Sequence, residues 1–223
     1  MRKRAVLIGV LLVLGLAGAA IAFGVGSDSW RYKMTVVVET PEGLKTGSAV
    51  REVTVHGGLK LTPEMLPLIE VKGEAVVVDL GKRGVLFMLV NGDYGADILF
   101  KLFSGKHKAG KVTLTPDQYP NFARFRNLND PKTIENVRAT GDKRTDKIRK
   151  ADPRRPIVDF KDAFGEGVSL KDVTIEITSE PVTWGVQKYL PWLKDIYGYI
   201  SGKPISGQEW YERVDSGDFQ RRP

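Results

Sequence analysis

The chain has 223 residues, with 34 Lys and Arg against 27 Asp and Glu (net +7), no cysteine and two histidines. The missing cysteines exclude thiol catalysis and thiolate metal sites, and two imidazoles, His56 and His107, nearly exclude a zinc centre built on several histidines. Much of the positive excess is local: Arg2, Lys3 and Arg4 open the chain, and the stretch Arg138 to Arg155 holds eight basic residues against three acids.

After the basic triplet, Ala5 to Gly26 carries no ionisable side chain. A helix rises about 1.5 Å per residue, so ~20 apolar residues match a hydrocarbon core of about 30 Å. Two readings of residues 1–29 stay open. One is a retained transmembrane anchor, favoured by length. The other is a signal peptide cut after Ala22, since Ala20-Ile21-Ala22 has the small-x-small pattern. The basic triplet keeps the N-terminus cytoplasmic in both, and sends residues 30–203 across as an extracytoplasmic domain. A secreted or periplasmic protein is the outcome of cleavage. Outside the cytoplasm nucleic acid is not an expected partner, whereas the lipid bilayer is, through residues 5–26. Trp30, just past the apolar run, suits the lipid–water boundary.

Met34 to Val38 read as a strand within Lys33–Thr40, ended by Pro41-Glu42-Gly43. A second strand, Ser48–His56, follows as the other arm of a hairpin with a loop of several residues. Its alternation slips at Arg51-Glu52, where a bulge would fit. Glu74–Leu80 and Val85–Val90 flank Gly81-Lys82-Arg83-Gly84 and are apolar at consecutive positions, as strands covered on both faces are. Asp93 caps an expected helix to Phe103, burying Ala96, Leu99, Leu102 and Phe103. Lys111–Leu114 is a short strand. Tyr119–Arg126 alternates aromatic and basic residues and fits no single element.

Asp130-Pro131-Lys132-Thr133 either starts a helix or makes a turn feeding a strand from Thr133 to Arg138. The charged run from Gly141 to Arg155 reads as a loop. Asp159 caps one helical turn ending at Gly165, and Val173, Ile175 and Ile177 alternate with polar residues as a half-exposed strand. Val186, Tyr189, Leu190, Leu193, Ile196, Tyr197 and Ile200 fall at helical spacing, with Pro191 either kinking that helix or starting a second. Residues 204–223 form a polar tail.

Trp30-Arg31-Tyr32-Lys33-Met34-Thr35, then Val38-Glu39-Thr40-Pro41-Glu42-Gly43 and Gly47-Ser48-Ala49-Val50, resemble a family of uncharacterised bacterial envelope proteins. So do Asp172 to Thr178, Glu180-Pro181-Val182-Thr183 and Leu190-Pro191-Trp192-Leu193. The resemblance implies a hydrophobic N-terminus and an extracytoplasmic domain, and brings no activity, cofactor or catalytic residue.

Candidate chemistry is sparse. Asp79, Asp93 and Asp97 with His107 are imaginable as an acid/base group, but a strand end and a helix cap account for the carboxylates. Gly105 to Lys111 lacks the phosphate-loop spacing. Lys143, Arg144, Lys147, Arg149 and Lys150 would hold anionic lipid headgroups at about 1 kcal/mol each; the interleaved Asp142 and Asp146 favour a solvated loop instead. Trp184, Trp192 and Tyr197 read as core residues. The expected fold class is α+β, a mostly antiparallel sheet with helices near 93–103 and 184–200 packed on it, preceded by the N-terminal hydrophobic helix. The expected function is a non-catalytic binding or scaffolding module of the cell envelope with a protein partner. The alternative is an envelope hydrolase using carboxylates such as Asp79 or Asp93.

Overall fold

The computed structural model describes residues 27–56, 68–90, 110–139, 141, 157–198, 200 and 214–222. The hydrophobic segment before Ser27 and the helix expected over 93–103 lie outside them.

Among the described residues eleven strands form two sheets: β1 (Ser27–Thr40), β2 (Gly43–His56), β3 (Leu68–Glu74), β4 (Val76–Asp79), β5 (Val85–Met88), β6 (Lys111–Thr113), β7 (Phe122–Phe125), β8 (Ile134–Arg138), β9 (Ile157–Asp159), β10 (Ser169–Thr178) and β11 (Gln220–Arg221). The first sheet runs β11-β3-β2-β1-β10-β6, and the second runs β4-β5-β7-β8-β9. Every pairing among the described strands is antiparallel except β8 with β9.

The β1–β2 hairpin dominates the first sheet. Val, Thr and Tyr populate β1 because branched and aromatic side chains suit the pleated surface. Trp30, Tyr32, Met34, Val36 and Val38 point inward at alternate positions and are buried. The two strands pair without a break from Ser27↔His56 to Thr40↔Gly43, so the loop is two residues, Pro41 and Glu42. No bulge exists at Arg51-Glu52; the register shift in this sheet lies between Val37 and Val38, against β10. The slip in the pattern has another cause: Arg51 occupies an inward position and is 1% exposed.

Between the sheets lies one core, in which Met34, Val36 and Val173 of the first sheet meet Val76, Leu86, Met88 and Phe122 of the second. At Gly47 the two sheets lie close together, since a Cβ there would overlap the Val77 carbonyl. Helix α1 (Phe160–Phe164) contributes Phe160, Ala163 and Phe164 to this core.

The far face of the second sheet carries another core. Val85, Phe87, Ala123 and Phe125 project there, opposite Leu86, Met88 and Phe122, as consecutive apolar residues in a doubly covered strand must. Val186, Leu190, Leu193 and Ile200 cover it, together with Val214 and Phe219 from the C-terminal segment. Within the stretch read as a polar tail, helix α2 (Ser216–Phe219) and β11 are thus part of the fold.

The expected α+β class does not hold. The chain is β-rich, with two sheets, and among the described residues the helices are α1 of five residues and α2 of four. The helix expected near 184–200 is two 3-10 turns, Val186–Lys188 and Pro191–Lys194. Pro191 lacks the N–H that would continue a helix, and Leu190 before it takes φ −125°, ψ 71°. Successive turns of three residues bring Val186, Leu190 and Leu193 onto one surface as well as a helix would, so spacing alone does not separate them.

Two ambiguous segments are settled. Tyr119–Arg126 contains β7, and Asp130–Thr133 is a 3-10 turn, its Asp130 side chain accepting from Lys132 N, that feeds β8.

Candidate functional site

A buried polar cluster sits where the chain leaves one sheet for the other. β3 ends at Glu74 and β4 begins at Val76, so Ala75 alone separates strands that belong to different sheets. A strand that turns so sharply leaves carbonyls outside either ladder, and buried carbonyls need donors. Arg51 supplies them. Its Nε donates to Glu74 O at 2.8 Å, and its Nη2 donates to Met88 O and Leu89 O at 3.2 Å each. Nη1 reaches the Met34 thioether at 3.3 Å.

Tyr32, the register partner of Arg51 on β1, presents its hydroxyl to the same guanidinium. Burial raises the Tyr32 pKa, with the positive charge of Arg51 opposing that rise. Burial likewise lowers the Arg51 pKa, while Tyr32 and then Glu74 act to raise it. The Glu74 side chain, 6% exposed, accepts from Gly185 N and, at 2.8 Å, from Val186 N, and so caps the first 3-10 turn over the second core. The cluster therefore ties four things together: the β1–β2 hairpin, the strand switch, the end of β5 and the 186–194 segment. With Arg51 and Tyr32 at 1% and 2% exposure, it is closed to a ligand from solvent. Its chemistry is that of a structural tie.

Three smaller ties lie nearer the surface. Arg83, on the β4–β5 turn, grips both oxygens of Glu42 at 2.8 and 2.9 Å and donates to Phe164 O at the end of α1. The hydrogen bonds from Arg83 hold Glu42 down at a pKa of about 2. Arg124 holds Glu135 at 2.7 Å and donates to Ala163 O. Arg138 holds Asp159 through both oxygens, at 2.5 and 2.9 Å.

The residues singled out from sequence are scattered. Asp79 is exposed and its Oδ1 accepts from Gly81 N at 2.8 Å, which is a turn-forming role. Asp93, Asp97 and His107, and the basic residues Lys143, Arg144, Lys147, Arg149 and Lys150, lie outside the described residues. Trp30 is in the core at 8% exposure rather than at a boundary, because its inward position on β1 fixes its direction. Trp192 is half-buried, edge-on to Phe125, with its Nε1 donating to Leu128 O at 2.7 Å. Trp184 and Tyr197 are not core residues: they are 42% and 94% exposed, since the segment carrying them is not one helix with a single buried face. Arg222 stands 5.8 Å from the Trp184 ring.

Arg51, Tyr32 and Glu74 were not singled out by the sequence. The available signal was parity: Arg51 falls in step with Ala49 and Val53 on the inward side of β2.

Among the described residues no group of three or more His, Asp or Glu is placed to hold a metal ion, and no helix is long and apolar enough to cross a membrane. Comparison with family models, with curated proteins and with solved structures finds no match.

Proposed function

We propose that the chain is an envelope protein tethered to the bilayer by residues 5–26, with its β-rich domain outside the cytoplasm acting as a non-catalytic module that binds or scaffolds another envelope component. The observation that carries this reading is the uncharged run from Ala5 to Gly26 behind a basic triplet, joined without a spacer to the first strand at Ser27. The roles of five of the described carboxylates support the non-catalytic half. Asp79 closes a turn, Glu74 caps a 3-10 turn, and Glu42, Glu135 and Asp159 are each gripped by an arginine. A hydrolase built on Asp79 would need that side chain free of its turn.

The test is a reporter fused behind Pro223. Alkaline phosphatase, which folds only outside the cytoplasm, is expected to be active, with the fusion in the membrane fraction. Activity of a cytosolic reporter alone overturns the compartment and the module together. Intact mass of the recovered protein separates a retained anchor from cleavage after Ala22.

A further inference from the structure

We infer that the surface around Trp184 binds a saccharide carrying an acidic group, with the indole against a sugar ring, the Gln187–Gln220 amide pair beside its hydroxyls and Arg222 against its acid. This deepens the binding-module reading above and rests on it for where such a ligand is met.

Trp184 is 42% exposed, whereas Trp30 is 8% exposed and Trp192 is half-buried. The backbone under it is tied to the first sheet on both sides. Thr183 N donates to Val50 O and Val50 N to Thr183 Oγ1, each at 3.1 Å, while Gly185 N donates to the Glu74 carboxylate. The ring is thus presented on a fixed support, so little ordering is left for a ligand to bring about.

The polar groups beside it are ordered as well. Gln220 and Arg222, two residues apart, both reach the 184–187 segment: Gln187 Nε2 donates to Gln220 Oε1 at 2.8 Å, and the Arg222 guanidinium lies 5.8 Å from the Trp184 ring centroid. The amide bond fixes both side chains and engages neither Gln187 Oε1 nor Gln220 Nε2. Arg222 differs from its fellows. Arg31, Arg83, Arg124, Arg126 and Arg138 each hold a carboxylate, Arg51 holds carbonyls and Arg221 donates to Gly217 O. Among the described arginines, Arg222 alone donates to no protein acceptor.

A pyranose offers an apolar face of C–H groups, which packs on an indole, and a rim of hydroxyls that both donate and accept. An aromatic plane flanked by a free amide acceptor, a free amide donor and an unengaged guanidinium matches those surfaces, and adds a fork for a carboxylate or phosphate. A protein partner would also use Trp and Arg as anchors, but the core of such an interface is apolar. Here the neighbours are Thr183, Gln187 and Gln220.

The test applies the purified full chain in detergent to an array of neutral, uronic-acid-containing and phosphate-containing oligosaccharides. Binding to acidic oligosaccharides over neutral ones is expected, and the uronate and phosphate arms tell which acid is taken. Trp184→Ala should weaken binding about tenfold with the circular dichroism spectrum unchanged. Arg222→Gln should abolish the preference for acidic over neutral sugars while residual binding survives. No binding to any sugar overturns the inference, as does binding that Trp184→Ala leaves intact, equal binding of acidic and neutral sugars, or crosslinking at Trp184 to a protein alone. Because the array reads the purified chain, its failure leaves the reporter fusion above to judge the envelope reading separately.

Discussion

Gly73 lies directly against the side chain of Arg51: a Cβ built on Gly73 would sit 2.8 Å from Arg51 Cγ. Gly73 also has φ +137°, a conformation L side chains rarely adopt. The bend that sends β3 toward the second sheet and the space for the Arg51 stem are thus supplied by one glycine. Gly73→Ala is expected to cost about 2–3 kcal/mol through backbone strain and overpacking combined. Urea unfolding checks this, and a loss below about 0.5 kcal/mol would mean that the bend tolerates a side chain.

Removing the guanidinium should be worse than crowding it. Arg51→Met keeps most of the stem's volume but leaves the carbonyls of Glu74, Met88 and Leu89 without their donor. Orphaned buried acceptors cost about 1–3 kcal/mol each, partly relieved by relaxation, so a loss of about 3 kcal/mol or more is expected. Arg51→Lys should recover only part, because an ammonium cannot reproduce a planar fork of donors aimed at three carbonyls. Tyr32→Phe, which leaves the donors in place, should cost about 1 kcal/mol. Thermal melts of the three variants test the order; equal melting for Lys and Arg at position 51 would refute the fork argument.

The Arg83–Glu42 pair makes a pH prediction. The Glu42 carboxyl has its pKa lowered from 4.5 to about 2, first through the hydrogen bonds from Arg83. A carboxylate whose folded pKa lies below its unfolded value stabilises the fold above the unfolded pKa, and that contribution disappears as pH falls through the folded one. The stability difference between the native chain and Glu42→Gln should therefore be constant above about pH 5 and shrink between 4.5 and 2. Because Glu42 is exposed, salt should reduce it. Carboxyl chemical shifts followed by NMR read the titration directly. A midpoint near 4.5 for Glu42 would show that the pair does not persist in solution.

β1, β2, β4, β5, β6 and β10 declared themselves through composition and parity, whereas β3, β7, β9 and β11 did not. The two faces of β5 were readable from Val85, Leu86, Phe87 and Met88 in succession, each of which meets a different core from its neighbour. What the sequence concealed were features that local pattern does not encode. Apolar residues at helical spacing from Val186 to Ile200 serve consecutive 3-10 turns equally well, and only the tertiary surface they cover decides between them. An arginine in step with Ala49 and Val53 looked like a defect of alternation, because its carbonyl partners lie up to 38 positions away along the chain. Phe219 was one aromatic among charged neighbours until the second sheet gave it somewhere to go.

That last residue anchors the C-terminus, and its role can be isolated. Phe219 is fully buried, edge-on to Phe87 at 5.6 Å between ring centroids and tilted against Phe125 at 5.6 Å. Around it, Ala75 N donates to Phe219 O at 2.8 Å and Val90 N to Asp218 O at 2.7 Å, while Gln220 and Arg221 extend the first sheet beside Glu74 and Gly73. A two-residue strand has little stability of its own, so the ring must hold it in place. Phe219→Ala should cost about 3–5 kcal/mol, and amide hydrogen exchange should localise the loss. The Ala75 and Val90 amides should lose protection well beyond the global change, with the β1–β10 ladder tracking global stability alone. If both amides kept their protection relative to that ladder, the backbone pairing would be holding the segment and the ring would be only its passenger.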